Sequence, residues 1–240
     1  MPPDFAAPPD RATDTTISCE VGIITPPTVV WAARRLGATT ADTLPPAALA
    51  ALGDALDARI IDPGHAIRYA GEAWIMRSGY AVRSVVIDGQ RRPVALLRAG
   101  DIVGELGVLA RIADTGTVEM LTYASCLVLP QATVADLLDH PEIVRLWLTG
   151  LARRSRDREL HRAREVGATL IQRAAWLLLA HAQHGRVPVS QEILAQILGV
   201  SRPSLNRSLR DIDDAGAIRL RYRDIQILDA DRLAAIAHSG

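Results

Sequence analysis

Hydrophobic and polar positions follow different patterns in successive parts of the chain. Residues 1–27 hold six prolines and little periodicity, which predicts a mostly flexible tail. Two short helices are predicted next, at residues 29–36 and 46–57. Residues 58–130 then carry short β-prone runs separated by turn residues, a pattern typical of a barrel or jelly roll.

The clearest strands of this region flank a tight turn. Residues 81–87 and 92–98 lie on either side of Asp88-Gly89, a pair that favours a two-residue hairpin turn. Two further strands are predicted at residues 118–123 and 126–129. The sequence therefore predicts an antiparallel β-domain that contains at least one hairpin.

A long helix is predicted after these strands, because the following segment is helical and free of Pro or Gly clusters. Coiled-coil spacing relates Val144, Leu148 and Leu151, with Trp147 beside them and Ser155 at the next heptad position. We therefore predict a dimerisation helix whose seam is apolar only near its N-terminal end. A single surface helix packed on the barrel is the alternative interpretation.

The strongest functional motif lies at residues 191–210, which read QEILAQILGVSRPSLNRSLR. Two short helices are separated here by Gly199, which permits a tight turn, and by Ser201, which is a good N-cap. Such a pair is a helix-turn-helix. At about 100° per residue, the second helix collects Arg and Asn on the face opposite Leu205 and Leu209. Arg can bond guanine and Asn can bond adenine in the major groove.

A β-wing is predicted after the second helix, where residues 218–221 and 224–228 form strand-like runs around Tyr222-Arg223. The wing concentrates arginines that suit phosphate contacts. The predicted DNA contacts are Ser190, Gln191, Ser201, Arg202, Pro203, Ser204, Asn206, Arg207, Arg210, Arg219, Arg221 and Arg223. A solvated basic helix face is the alternative interpretation.

Composition and charge add smaller constraints. Hydrophobic residues make up 49% and charged residues 22%, which excludes a wholly disordered chain. The net charge of zero divides unevenly, with 12 Arg against 17 acidic residues in 1–150 and 15 Arg against 10 in 151–240. The basic C-terminal part is a weak indication of a polyanionic partner. No apolar run reaches the 18 or so residues of a membrane span, and no secretory signal is evident.

These motifs together resemble the Crp/Fnr superfamily of transcription regulators, over roughly residues 44–228. The shared strings are Asp62-Pro63-Gly64, Ser78-Gly79, RAGDIVGELGVL at residues 98–109 and LGVSRPSLNRSLRDIDDAGAI at residues 198–218. The implied fold class is α+β, with an N-terminal β jelly roll of the cyclic-nucleotide-binding type, a long dimerisation helix and a C-terminal winged helix-turn-helix.

The resemblance also implies a domain plan and a set of partners. The expected domains are a tail at 1–27, a jelly-roll sensor domain at 28–140, a dimerisation helix at 141–166 and a winged helix-turn-helix DNA-binding domain at 167–240. The implied protein is a cytoplasmic homodimer that binds double-stranded DNA and no membrane, with RNA polymerase as a further candidate partner. The family's base-reading positions map onto Arg202, Pro203 and Arg207.

The effector pocket departs from the family pattern. In members that bind cyclic nucleotides, a glycine-rich cassette holds the phosphate, a Glu holds the ribose, and a later Arg-Ser or Arg-Thr pair neutralises the charge. The candidate pocket residues here are Gly104, Glu105, Leu106, Gly107, Thr115, Gly116, Thr117 and Arg158. The aligned stretch has no phosphate-binding Arg, so the pocket is expected to be degenerate. A cyclic nucleotide is a candidate effector and no resident cofactor is expected; structural turns are the alternative role for the glycines.

Other candidate sites are weaker. Cys126 is either a small packed residue or a redox-sensing thiol. With only Cys19 besides it, a disulfide framework is not expected and a reducing cytosol fits. The six His lack partners at metal-ligand spacing, and no catalytic motif occurs, so neither a metal site nor an enzyme is expected. Two other functions stay open: a ligand-sensing jelly roll whose winged helix binds another protein, and a barrel enzyme.

Overall fold

Two short helices precede the β-rich part of the chain. The computed structural model describes residues 24–39, 44–112 and 116–239 of the 240. Helices α1 (Pro26–Leu36) and α2 (Pro46–Ala55) both carry proline in the first turn, where its missing N–H costs no helical hydrogen bond. Helix α1 therefore begins inside the predicted tail, and most of that tail, residues 1–23, lies outside the described residues.

The β-domain is the predicted jelly roll. In chain order its strands are β1 (Asp57–Ile61), β2 (Ala66–Arg68), β3 (Glu72–Ser78), β4 (Tyr80–Ile87), β5 (Gln90–Arg98), β6 (Ile102–Val103), β7 (Thr117–Met120) and β8 (Ala124–Pro130). They form two antiparallel sheets in the orders β1-β8-β3-β6 and β2-β7-β4-β5. Helix α3 (Glu105–Ala110) separates β6 from β7, and α4 (Gln131–Leu137) follows β8.

The predicted hairpin is confirmed. Strand β4 pairs with β5 in a register that places Tyr80 opposite Arg98 and Ile87 opposite Gln90. The turn residues Asp88 and Gly89 both have positive φ, at 52° and 74°, as a two-residue turn of this hand requires.

Two hydrophobic clusters stabilise this half of the chain. One fills the space between the two sheets and contains Trp74, Met76, Val118, Met120 and Cys126. The other lies outside the β1-β8-β3 part of the first sheet, where the helices cover its second face. Helices thus cover one side of the jelly roll, and they lie beside the glycine-rich segment at residues 104–107 that belongs to the predicted effector pocket.

The predicted long helix is α5 (Pro141–Glu165), a continuous helix of 25 residues. Its first half packs on the jelly roll and on the end of α1. An added Cβ at Gly150 would collide with the carbonyl oxygen of Leu36, and one at Gly37 with that of Leu146. Only glycines allow this close crossing of α1 and α5.

The C-terminal part contains α6 (Leu170–His181), β9 (Arg186–Val187), α7 (Gln191–Leu198), α8 (Arg202–Asp214), β10 (Ile218–Arg221), β11 (Asp224–Ile227) and α9 (Ala230–His238). The three strands form a small sheet in the order β10-β11-β9. Helix α9 was not predicted from the sequence. Tyr80, Val82 and Leu96 of the jelly roll join the hydrophobic core of this part. In the described ranges, no helix is both long and apolar enough to cross a membrane.

Candidate nucleic-acid interface and effector cleft

The helix-turn-helix forms as the sequence predicts. The Ser190 hydroxyl accepts a hydrogen bond from the backbone N–H of Ile193 at 3.2 Å and begins α7. Gly199 ends α7 with a φ of 67°, and the Ser201 hydroxyl accepts from the N–H of Ser204 at 3.3 Å to begin α8. These caps fix where each helix starts and therefore which side chains α8 presents.

One face of α8 packs inward and the other is open. Leu205, Leu209 and Ile212 are buried. A shallow groove on the open face is lined by Arg202, Pro203, Asn206, Arg207, Arg210, Asp211 and Asp214. Sequence reasoning missed the two Asp, which lie in the last turn. Because they repel phosphates, the surface that suits DNA is the N-terminal part of α8.

The wing is a hairpin of β10 and β11 whose turn is Tyr222-Arg223. The Tyr222 side chain is 90% exposed, and the guanidinium carbon of Arg223 lies 5.8 Å from its ring centroid, a cation–π contact. Arg219 and Arg221 are exposed on β10. The three predicted wing arginines are therefore all available to solvent.

The predicted dimer seam requires one correction. Leu148 is 60% exposed, Ser155 is exposed, and Val144 and Leu151 are partly buried. Trp147, in contrast, is only 1% exposed, because it packs into the core of its own chain. The prediction that Trp147 lies in the seam is wrong: the helix turns it about 100° away from Leu148.

The effector cassette contains a buried carboxylate with partners inside the protein. Glu105 is 4% exposed. Arg154 of α5 donates to both of its oxygens, at 3.1 Å from Nε and 2.6 Å from Nη2, and Trp147 Nε1 donates at 3.2 Å. Gly104 is required by the fold, since its φ is 77° and an added Cβ would collide with the carbonyl oxygen of Glu72. The predicted pocket carboxylate, Glu105, is thus held by this chain's own side chains.

A cleft of about 520 Å³ lies beside this carboxylate, between the jelly roll, α1, α5 and α6. Gly104, Glu105, Leu106 and Arg158 line it, as the pocket prediction requires. Gly107, Gly116 and Thr117 do not belong to its lining. Thr115 lies outside the described residues. Sequence reasoning missed the contributions of α1 and α6.

Cys126 is a core residue. It is fully buried, and its Sγ lies 3.8 Å from Met76 Sδ. Burial raises the pKa of the thiol to about 12. Because oxidation proceeds through the exposed thiolate, the structure contradicts the redox-sensor interpretation and favours the packing one.

A polar junction connects the jelly roll to the C-terminal part. The Tyr80 hydroxyl lies 2.8 Å from the carbonyl oxygen of His181 and 2.9 Å from that of Arg186, and donates to one of them. His181 Nδ1 lies 2.9 Å from the Leu177 carbonyl oxygen. Burial lowers the pKa of His181 and raises the pKa of nearby Asp101. No sequence motif marked these residues.

Comparison with known proteins finds relatives for both halves. A sequence model of the cyclic nucleotide-binding domain matches residues 59–140, and one of the Crp-like helix-turn-helix domain matches residues 172–236. The chain is 32% identical over 212 residues to the HTH-type transcriptional regulator Cmr of Mycobacterium tuberculosis, covering 86% of this chain and 87% of that protein. It is 29% identical over 205 residues to the CRP-like cAMP-activated global transcriptional regulator of the same species, covering 79% and 92%.

Known structures share the fold at lower identity. A CRP-family transcriptional regulator of Thermus thermophilus aligns with a TM-score of 0.59 and 23% identity, covering 75% of this chain and 96% of that chain. A putative cyclic nucleotide binding protein of Ruegeria pomeroyi aligns with a TM-score of 0.65 and 20% identity, covering 82% and 92%.

Proposed function

Because the chain belongs to the Crp/Fnr family of transcription regulators, we propose that it binds a specific DNA operator as a cytoplasmic homodimer. The observation that carries this proposal is the open face of α8. Arg202 and Arg207 are exposed there and Asn206 is half-buried, whereas Leu205 and Leu209 are buried; at about 100° per residue, Arg207 lies about 160° from both leucines. A helix with this arrangement can enter the major groove while its apolar side stays in the protein core.

Base contacts and phosphate contacts have separate roles in this proposal. Arg202, Asn206 and Arg207 would read base edges, and the wing arginines would contact phosphates on either side. Two such helices in a dimer would read half-sites one helical turn apart, about 34 Å. The dimer would form through the exposed seam of α5 that contains Leu148.

The two kinds of contact predict different losses on mutation. Arg207→Ala should weaken binding to a selected operator by about 1–3 kcal/mol, the range of a bidentate base contact. Arg221→Ala should weaken binding to all DNA sequences alike. It should also reduce the slope of log affinity against log salt concentration by about one. Operator selection followed by titration at two salt concentrations measures both effects, with Arg77→Ala, an exposed change on β3, as the control.

One outcome would favour another function. If both variants bind the selected operator as tightly as the unchanged protein at both salt concentrations, α8 does not read DNA. A ligand-sensing protein whose winged helix contacts another protein would then explain the fold better.

We further propose that the cyclic-nucleotide pocket is degenerate. Two observations support this: Glu105 is already bound by Arg154 and Trp147, and Asp114-Thr115 stands where the family has a phosphate-binding Arg at one of the two positions. A lost charge-assisted hydrogen bond of about 1.5–3 kcal/mol corresponds to roughly 10–150-fold in affinity. The related regulator described as cAMP-activated makes cyclic AMP the ligand to test.

Calorimetric titration with cyclic AMP tests the degenerate pocket. We expect binding no tighter than the high micromolar range, and operator affinity that does not change when cyclic AMP is added. A dissociation constant in the low micromolar range or below, together with a changed operator affinity, would show that another cation has replaced the missing Arg.

A further inference from the structure

The cleft beside Glu105 carries more arginine than carboxylate. Its charged lining consists of Arg34, Arg35, Arg83, Arg154 and Arg158 against Asp101, Glu105 and Asp157, a net formal charge of +2 with His181 neutral. Arg34 and Arg35 come from α1, which precedes the residues matched by the cyclic nucleotide-binding domain. Part of this charge therefore comes from outside the family's sensor domain.

The five arginines differ in whether another side chain already binds their guanidinium group. Arg154 is bonded to Glu105, and Arg83 Nε donates to the Tyr69 hydroxyl at 2.8 Å. Within the described part of the chain, Arg34, Arg35 and Arg158 form no ion pair with a carboxylate. Among the described residues, the cleft thus holds three cationic side chains that have no carboxylate within ion-pair distance.

The guanidinium of Arg35 is held in place at the rim of the cleft. Its central carbon lies 5.4 Å from the Trp31 ring centroid, and its Nη1 would meet a Cβ at Gly100 at 2.9 Å. The backbone carbonyl of Arg35 also accepts a hydrogen bond from Arg154 Nη1 at 2.9 Å, which ties α1 to α5 at this residue. A cation fixed in this way loses little side-chain freedom when an anion binds.

Size and charge together limit the ligand. A volume of about 520 Å³ suits a small molecule. The arginines without an ion pair come from two helices, α1 and α5, and an anion with two negative charges would balance the net charge of +2. A cyclic mononucleotide has only one negative charge and would leave half of this net charge of +2 unbalanced.

We propose that this cleft binds a small anion with two or more separated phosphate or carboxylate groups, bridging Arg34 and Arg35 of α1 to Arg158 of α5. Guanidinium groups bind both kinds of oxyanion, often through two parallel hydrogen bonds. The proposal rests on the proposed function only in treating the cleft as an effector site. Binding of the anion does not itself require DNA.

Titration calorimetry at fixed ionic strength tests the site with two probes, tripolyphosphate and citrate, and with cyclic AMP for comparison. We expect one of the two multivalent anions to bind at least tenfold tighter than cyclic AMP, and the stronger probe identifies phosphate or carboxylate as the preferred group. Arg34→Gln and Arg158→Gln should each weaken that probe about tenfold or more. Arg77→Gln on β3 is the matched control, and thermal unfolding checks that each variant folds.

Several results would overturn the proposal. One is that neither anion shows saturable binding. Another is that the two cleft variants bind the anion as tightly as the control does. The third is that Arg207→Ala loses binding, which would place the anion on α8. Operator binding measured without any anion separates the two proposals. If operator binding persists while anion binding fails, only the cleft assignment falls; the reverse result removes the DNA assignment and leaves the cleft.

Discussion

Glu105 accepts hydrogen bonds from Trp147 and Arg154 while almost none of its surface reaches solvent, so side chains rather than water balance its charge. The same guanidinium donates to the carbonyl oxygen of Arg35. The Arg154 side chain of α5 therefore contacts both α1 and α3 and joins the three helices. A buried ion pair adds little net stability by itself, but removing one partner leaves an uncompensated charge.

Arg154→Met should lower the free energy of unfolding by about 3–5 kcal/mol, because Glu105 would stay buried without its cation. The double variant Glu105→Gln/Arg154→Met should lose less than this single change, since the buried charge is gone. Urea unfolding at one protein concentration measures all three proteins. A single variant as stable as the unchanged chain would mean that water, rather than Arg154, balances the carboxylate.

Sequence reasoning at this scale succeeds where local chemistry decides the outcome. Gly199 and Ser201 take their predicted conformations because turn geometry and capping depend on near neighbours. Trp147 and Cys126 are different, because their environments are set by elements distant in sequence. Coiled-coil spacing places Trp147 beside the seam, but only the position of α3 shows that it is buried against Glu105.

Helix α5 has two apolar surfaces with different partners. The inner surface, which includes Ile143, Trp147 and Gly150, is buried in the chain. The outer surface, centred on Leu148, faces solvent. An exposed leucine flanked by partly buried apolar side chains is what a coiled-coil partner would cover.

Leu148→Arg should convert the expected dimer into a monomer, because it places a charge in an apolar seam. Leu160→Arg is a matched control: Leu160 is also exposed, but at about 100° per residue it lies roughly 120° around the helix. Light scattering measures the mass of each variant. A dimer that persists in Leu148→Arg but dissociates in Leu160→Arg would place the interface on the other face.

Element prediction follows length and pattern strength. The β4–β5 hairpin has a strong turn signal and α5 is long and free of Pro or Gly clusters, and both are confirmed. No individual strand was predicted at β1, β2, β3, β6 or β9. Strands β2, β6 and β9 have only two or three residues, too few to show alternation, and four consecutive buried residues remove the alternation from β3. Helix α9 escaped too, although Asp229 caps it by accepting from the N–H of Arg232 at 2.9 Å.

In the molecule as a whole, the jelly roll and the DNA-binding part share a packed interface. Tyr80, Val82 and Leu96 lie in one hydrophobic cluster with residues of α6 and α7. His181 sits at this junction with Asp101 and Arg98 nearby, and its Nδ1 lies 2.9 Å from the Leu177 carbonyl oxygen. A titratable group between two domains makes their packing sensitive to pH.

Stability should fall as the pH decreases below 6.5. Burial lowers the pKa of His181 from its ordinary 6.5, so the unfolded chain takes up a proton at a pH where the folded chain does not. His181→Gln should reduce this loss, whereas His184→Asn, a change at an exposed position, should not. Denaturant unfolding across a pH series measures the difference. A pH profile unchanged by His181→Gln would assign the dependence to other groups.

Asp101 acts in a different pH range. Burial raises its pKa above the ordinary 3.8, so the cost of its charge is present at neutral pH and disappears as the pH falls through the raised pKa. The contribution of Asp101 therefore opposes that of His181 in acid. Asp101→Asn in the same pH series separates the two.

The crossing of α1 over α5 at Gly37 and Gly150 brings backbone against backbone, so no side chain can shift to absorb movement there. A stiff helix held at this point, the tenth of its 25 residues, can tilt about it and move its C-terminal end. Beyond Arg154, which is bonded to Glu105 and to the Arg35 carbonyl, the helix continues for about 16 Å to Glu165, so a tilt of about 5° displaces its end by roughly 1.4 Å. Small motions of the N-terminal helix would thus reach the start of the DNA-binding part, with Gly167 as the joint beyond the end of α5.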